Sequence, residues 1–338
     1  MPTVTNALSV PAAGAPFEAV RIERRDLRDD DVRIDIAYAG ICHSDIHTVR
    51  DEWGAAHYPI VTGHEIAGTV SAVGEGVTAI AVGDRVGVGC LVDSCGECGP
   101  CKDGQEMFCT KPAVGTYNSR DYHGEWTAGG YSQQIVVTER MVVRIPDALS
   151  LDVAAPLLCA GITTYSPLKR WGAGPGVKVA VVGVGGLGHM GVKIAAALGA
   201  QVTTISRTDA KAADAMALGA TSHLATSDPG AVVAARGSFD LILNTVSAPW
   251  TWRPICGCSG PTARWSTSAC RASPTSCTRS RSSAATRSSP VRRSAGSRRR
   301  RRCWTSAPRM ASVRPSRCST PPTPPRWMRH TTGSLPGT

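Results

Sequence analysis

Four cysteines, Cys95, Cys98, Cys101 and Cys109, stand in a C-x2-C-x2-C-x7-C array within the glycine- and proline-punctuated stretch SCGECGPCKDGQEMFC. This spacing lets one short loop wrap four thiolates around a tetrahedral zinc ion. A closed shell of four sulfurs leaves no position for a substrate, so the array reads as a structural site. Chemistry has to come from elsewhere, and two contexts stand out: Gly40-Ile41-Cys42-His43-Ser44-Asp45-Ile46-His47 and Gly63-His64-Glu65. A catalytic zinc takes three protein ligands and keeps one position open. Cys42, His64 and Cys159 supply such a set, against the alternative that buried cysteines are simply small apolar residues.

A second candidate for function is Gly183-Val184-Gly185-Gly186-Leu187-Gly188, a G-x-G-x-x-G turn. The first glycine permits the tight turn, the second lets the backbone approach a pyrophosphate, and the third lets helix and strand pack closely. At the end of the next strand, where an acid would bind the ribose 2′-hydroxyl of NAD, the chain has Ser206-Arg207-Thr208, with Lys211 one turn later. A hydroxyl and two cations suit a 2′-phosphate, so the reading is NADP(H). The alternative is a solvated arginine at a helix entrance beside Asp209.

The elements that must position these residues fall into two groups. Residues 1–150 read as an irregular β-rich domain with short alternating strands such as Val32 to Ile36, glycine turns at Gly74, Gly76 and Gly83, and loops from 90 to 130. Residues 151–248 read as the first part of a doubly wound Rossmann domain. Its strands are Val177 to Val182, Gln201 to Ile205 and Asp240 to Asn244. Its helices are His189 to Leu198 and Ala210 to Leu218.

The formal charge of +11 would ordinarily suggest nucleic acid or a membrane surface, but its distribution argues otherwise. All 26 acidic residues precede residue 249, whereas residues 249–338 carry 18 arginines, no lysine and no acid. This last segment is rich in Ser, Arg, Pro, Thr and Ala and lacks the apolar residues of a core. Three readings compete: a disordered arm binding nucleic acid through Arg298–Arg302, a low-complexity linker, and translation in the wrong frame. Back-translated and reread one base earlier from the Pro249 codon, the segment permits an apolar-periodic helix start and then Arg-Pro-Asp-Gly-Thr-Leu-Val-Asn-Val-Gly, a turn and a buried strand. The expectation is therefore a frameshifted, disordered tail from 249 to 338. A parallel sheet without its second half exposes an apolar edge, which makes the chain as written unstable or inactive. Resequencing the gene around the Pro249 codon tests this.

No apolar run is long enough to span a membrane, and the N-terminus lacks the basic flank and apolar run of a secretory signal. Together with the thiolate cluster, this points to a reducing cytoplasm.

The segments GICHSDIH, GHEIAGTV, the cysteine quartet, LLCAGIT and VVGVGGLG follow one another as in the medium-chain zinc-dependent alcohol dehydrogenases. HYPIVTGHE, GTYNSRDYHGEWTAGGYSQQIVV and LLCAGITTYSPLKRW resemble in particular their cinnamyl-alcohol-dehydrogenase-like aldehyde reductases, over about residues 15–249. The resemblance implies a β-rich GroES-like catalytic domain, a Rossmann domain, two zinc ions per chain and NADP(H), with an aldehyde or alcohol as small-molecule substrate. It assigns the catalytic zinc to Cys42, His64 and Cys159, with Glu65 as a neighbouring or alternate ligand and Asp45 orienting the imidazole. Ser44 and His47 resemble the family's proton relay, His43 the residue near the cofactor phosphates, and Thr163 the residue at the nicotinamide. Trp53, Trp126 and Tyr58 are either pocket lining or core, and Cys90 is expected to be a buried thiol. Such proteins are often homodimers through the Rossmann sheet edge. Thr62 stands where the group commonly has proline.

Overall fold

The computed structural model describes residues 3–246, together with the backbone of one strand at 259–266. The chain opens with an antiparallel hairpin, β1 (Thr3–Ser9) and β2 (Glu18–Arg24). β3 (Asp31–Ala39) leads into the short helix α1 (His43–Val49), and β4 (Ile66–Val73) returns antiparallel to β3. β5 (Arg85–Val88), the small pair β6 (Leu91–Asp93) and β7 (Val114–Gly115), the one-turn helix α2 (Gly99–Lys102), β8 (Gln134–Thr138) and β9 (Val142–Arg144) complete the first lobe. Its main sheet runs β8-β3-β4-β5-β9, all antiparallel. Period-two alternation explains the core: Val32 and Ile34 point inward with Ile66, Val70, Val86, Val88, Ile135 and Val137, all nearly or fully buried.

The chain then crosses through α3 (Leu151–Ala154) and a 3-10 turn at Ala155–Leu158 to α4 (Ala160–Arg170). The second lobe alternates β10 (Lys178–Val182), α5 (Gly186–Ala197), β11 (Gln201–Ser206), α6 (Ala212–Ala217), β12 (Ser222–Ala225), α7 (Pro229–Ala234) and β13 (Phe239–Asn244). The parallel sheet has the order β12-β11-β10-β13-β14, with β14 at Ser259–Ser266. Val179 to Val182 of β10 are all buried because both faces are covered, which a central parallel strand requires. Val179 and Val181 pack with Leu168, Val192 and Ala195 on the α4–α5 face, and Ala180 and Val182 pack with Ile205, Ile242 and Val232 on the other. The strand order reverses at β10, so its carboxyl end is the switch point where such sheets hold ligands.

Two sequence expectations need correction here. β12 and α7 were not anticipated, and the loop-dominated stretch from 90 to 130 contains β6, β7 and α2. Of the tail expected to be disordered from 249, residues 259–266 form β14 on the edge of β13. Backbone ladder bonds form regardless of side-chain type, which is how a strand can occur where composition argues against a core. The out-of-frame reading, the Arg298–Arg302 run and the sheet edge invoked for a dimer otherwise lie outside the described residues. Among the described residues, no helix is long and apolar enough to cross a membrane.

Candidate active site

β3 and β4 are paired through Ala39 and Ile66, so Cys42 and the His64-Glu65 pair leave the same end of one hairpin. The Gly40 N–H donates to the Glu65 carbonyl at 2.8 Å and closes that end. A side chain at Gly40 would collide with the Glu65 carboxylate, so this residue must be glycine for the two segments to meet. Cys159 arrives from the other direction as the residue that starts α4. It is seated against the sheet because Gly87 and Gly89 leave room for Leu158, whose atoms would lie 2.4 and 2.6 Å from a Cβ at those positions.

One ligand atom from each of Cys42, His64, Glu65 and Cys159 falls within 4.8 Å of the others. The Cys42 and Cys159 sulfurs are 4.0 Å apart, and His64 Nε2 is 3.2 Å from the Cys159 sulfur. Two zinc–sulfur bonds of about 2.3 Å at a tetrahedral angle separate sulfurs by about 3.8 Å, so the donor set fits zinc in spacing as well as chemistry. Asp45 holds the arrangement. Its carboxylate faces His64 Nδ1 at 3.3 Å and accepts from the Cys42 N–H, the Gly63 N–H and the Tyr131 hydroxyl, at 3.0, 3.0 and 2.9 Å. Burial opposes its charge, but the hydrogen bonds from His64 and these N–H groups prevail and keep the carboxyl below its usual range. With Nδ1 engaged, His64 presents Nε2 to the sulfurs.

Without a cation, burial and mutual contact make the thiol and the carboxyl harder to ionise. Cys42 is pushed up to about 12, chiefly by its hydrogen bond with Cys159 and then by burial, and burial with the nearby Cys42 raises Glu65 to about 7. Cys90 is exposed and not a buried thiol; its hydrogen bond with Cys159 draws it below the thiol range.

Ser44 Oγ lies 3.5 Å from the Cys42 sulfur, and His47 follows one turn later on α1. His43 is exposed, with its ring 5.4 Å from that of His47. Two partners of His47 escaped sequence reasoning. Glu52 Oε2 lies 2.5 Å from His47 Nδ1, and the Trp53 ring lies 5.1 Å away. Their only sequence signal is an acid five residues after the histidine, in a loop that bends through left-handed backbone at Asp51, Gly54 and Ala55. Trp53 is 62% exposed and Trp126 is 40% exposed, so neither is core. Trp126 stacks on His57 with Arg120 over its ring, and the Tyr58 hydroxyl donates to the Thr48 and Val49 carbonyls.

The quartet is built differently. The sulfur pairs Cys95–Cys101 and Cys98–Cys109 are each 3.9 Å apart, and all four lie within 4.8 Å of one another. Main-chain N–H groups of Cys95 and Thr110 donate to the Cys109 and Cys98 sulfurs at 3.5 Å. The Thr110 N–H is the largest influence drawing Cys98 down to about 6, while burial and the hydrogen bond with Cys98 push Cys101 up to about 11.

At the carboxyl end of β10, Gly183 has φ +87°, and a Cβ at Gly188 would lie 1.9 Å from the Gly183 carbonyl. Nothing lies within 4 Å of a Cβ placed on Gly185 or Gly186, which leaves open space over the start of α5. Exposed N–H groups at that end favour an anion. Lys211 Nζ donates to the Val184 carbonyl at 2.9 Å, Ser206 Oγ donates to the Thr208 carbonyl at 2.6 Å, and the exposed Arg207 and Asp209 make no ion pair among the described residues. Thr163, half-buried on α4, donates its N–H to the Cys159 carbonyl at 2.9 Å.

Comparison with known proteins identifies the family. The family model described as the alcohol dehydrogenase GroES-like domain matches residues 28–147, and that described as zinc-binding dehydrogenase matches residues 186–305, running into the arginine-rich segment. The chain is 64% identical over 244 residues to the Bacillus subtilis protein named "Probable formaldehyde dehydrogenase AdhA", covering 72% of this chain and 70% of that one. It is 59% identical over 247 residues to NADP-dependent alcohol dehydrogenase C 1 of Mycolicibacterium smegmatis, covering 73% and 71%. A solved cinnamyl alcohol dehydrogenase of Sorghum bicolor superposes with a TM-score of 0.75 at 42% identity, covering 78% of this chain and 75% of that one. The chain therefore belongs to the medium-chain zinc-dependent alcohol dehydrogenases, of the cinnamyl-alcohol-dehydrogenase-like kind, and is an alcohol/aldehyde oxidoreductase.

Proposed function

We propose that the chain is an NADP(H)-dependent aldehyde reductase of the cytoplasm, with a catalytic zinc at Cys42, His64 and Cys159 and a structural zinc at Cys95, Cys98, Cys101 and Cys109. The observation that carries this reading is the convergence of Cys42, His64 and Cys159 at zinc spacing, with the Ser44 hydroxyl 3.5 Å from one sulfur. A zinc ion there supplies Lewis-acid polarisation of a carbonyl. The chain's own residues do the rest. Ser44 and His47, at i and i+3 on α1, hold and move a proton between the buried cluster and solvent, and Glu52 backs the imidazole. Asp45 fixes the His64 ring, and Glu65 stands by as a neighbouring carboxyl. Gly183, Gly185, Gly186, Leu187 and Gly188 form the phosphate cradle, Ser206, Arg207, Thr208 and Lys211 receive a 2′-phosphate, Thr163 lies on the nicotinamide side, and His43 lies near the phosphates. The name of the Mycolicibacterium relative supports NADP(H), and the free cysteines among the described residues support a reducing compartment.

Zinc content and NADPH-dependent reduction of an aromatic or medium aliphatic aldehyde test this. Both are measured in the chain as written and in a chain whose frame is restored after the Pro249 codon. Two zinc ions per chain and NADPH-dependent turnover in the restored chain are expected, with little turnover as written. Equal turnover in both would refute the out-of-frame reading alone, whereas a clear NADH preference, or no turnover by zinc-loaded restored protein, would refute the reductase reading.

A further inference from the structure

β12 carries a histidine whose ring is fully engaged at the turn read above as the 2′-phosphate site. His223 Nδ1 lies 2.7 Å from Thr204 Oγ1, and Thr204 is fully buried. His223 Nε2 lies 3.1 Å from the Thr208 carbonyl and 3.2 Å from Ser206 Oγ. A carbonyl only accepts, so Nε2 carries the proton in this contact, and Nδ1 of the neutral ring accepts from the Thr204 hydroxyl. The backbone after β12 straps the same turn, with the Thr226 and Ser227 N–H groups donating to the Ser206 and Arg207 carbonyls at 2.8 and 2.9 Å.

The Ser206 hydroxyl points its proton at the Thr208 carbonyl. A 2′-phosphate, which only accepts, needs that proton. If Ser206 turned outward with no substitute donor, the Thr208 carbonyl would lose its side-chain donor and the turn would loosen. His223 is that substitute, already within reach of both oxygens. We infer that His223 is a positioning residue for cofactor selection: it holds the Ser206–Thr208 turn from below, so that the Ser206 hydroxyl is free to donate to a 2′-phosphate. This inference rests on the NADP(H) reading.

The test is the dissociation constant of the zinc-loaded, frame-restored full chain for NADPH and for NADH, by fluorescence titration, with its own sequence and as His223→Phe and His223→Gln. His223→Phe fills the space without a donor and is expected to weaken NADPH about fivefold to tenfold, as the loss of one or two hydrogen bonds to a charged site implies. NADH is expected to shift by less than about twofold. His223→Gln, which returns an N–H near the Nε2 position, is expected to recover most of the NADPH affinity. In a Ser206→Ala background, where no hydroxyl remains to be freed, His223→Phe is expected to have little further effect, which also covers the case of a weakly folding single variant. A restored chain that prefers NADPH together with an H223F variant that keeps the preference, or that weakens both cofactors equally, overturns the inference while leaving the NADP(H) reading intact. A restored chain that binds NADH at least as tightly overturns that reading, and the inference with it.

Discussion

The two cysteine clusters share donor chemistry and differ in what surrounds it. The quartet comes from 15 consecutive residues, half-exposed, and its sulfurs are served by main-chain N–H groups at 3.5 Å. The mixed cluster draws on residues as far apart as Cys42 and Cys159, is buried, and is served by the Asp45 carboxylate. Cys98 of the quartet is drawn down while its neighbour Cys101 is pushed up to about 11, and Cys42 of the mixed cluster is pushed up to about 12, so in both clusters a cation has protons to displace. A local loop that needs an ion to close is a device for stability, and a cluster assembled by the whole fold is a device for chemistry.

The largest expected effect separates these roles. Cys42→Ser in the frame-restored chain should lower aldehyde reduction by roughly 10³-fold or more and remove one of two zinc ions, while the melting temperature moves little. Cys98→Ser should remove the other zinc and lower the melting temperature by about 10 °C or more, because a closed structural site contributes folding energy directly. Metal analysis, calorimetry and kinetics on the two variants decide the matter. If Cys42→Ser proved the more destabilising of the two, or Cys98→Ser abolished turnover at an unchanged melting temperature, the division of labour would be wrong.

A step down in size, Asp45→Asn tests whether side-chain support matters as argued. The amide cannot satisfy the Cys42 and Gly63 N–H groups, the Tyr131 hydroxyl and His64 together. A loss of about 10- to 100-fold in catalytic-zinc affinity or activity is expected, with the quartet's zinc untouched. Competition with a chelator would show it, and equal weakening of both zinc ions would count against the argument. Glu52→Gln should be milder. It removes the carboxylate beside His47 but leaves the cluster alone, so kcat is expected to fall about tenfold with KM and zinc content unchanged. A change confined to KM would assign Glu52 to substrate binding.

These variants also mark how far the sequence could be read. The quartet was legible because spacing within one loop is the whole of its geometry. Cys42, His64 and Cys159 were legible as residue types in quotable motifs, but their meeting depends on Gly40, Gly87 and Gly89 allowing backbones to approach, which no period or spacing encodes. Glu52 was hidden because a loop bent through left-handed backbone at Asp51, Gly54 and Ala55 folds its carboxylate back beside His47, which no short motif encodes. β12 was missed because Ser-His-Leu-Ala is short and its strand character comes from pairing with β11, and α7 because Asp228-Pro229-Gly230 reads as a turn. There Asp228 is the N-cap, accepting from the Gly230 and Ala231 N–H groups, so the turn signal was the first turn of a helix. His223 carried no signal at all, since a lone histidine on a short strand acquires its role only from the turn it touches.

The smallest expected effect concerns the residue that departs from the family pattern. Thr62 precedes the Gly63-His64-Glu65 segment and is fully buried, and its hydroxyl has no hydrogen-bond partner among the described residues. Its carbonyl accepts from the Tyr131 N–H at 2.9 Å, so the backbone is held whatever the side chain. A buried hydroxyl without a partner costs on the order of 1 kcal/mol relative to an apolar group of the same shape. Thr62→Val keeps the branched shape and removes that group. It is expected to raise stability by about 1 kcal/mol, read as a rise of about 2–4 °C in melting temperature, with zinc content and kcat unchanged. Because the carboxylate network of Asp45 is not touched, this change isolates packing beside the mixed cluster from the chemistry of its ligands. A destabilised valine variant would mean that the hydroxyl is satisfied and that Thr62 belongs with Asp45 among the groups supporting His64. The contrast between a side-chain-supported and a main-chain-supported site would then be sharper still.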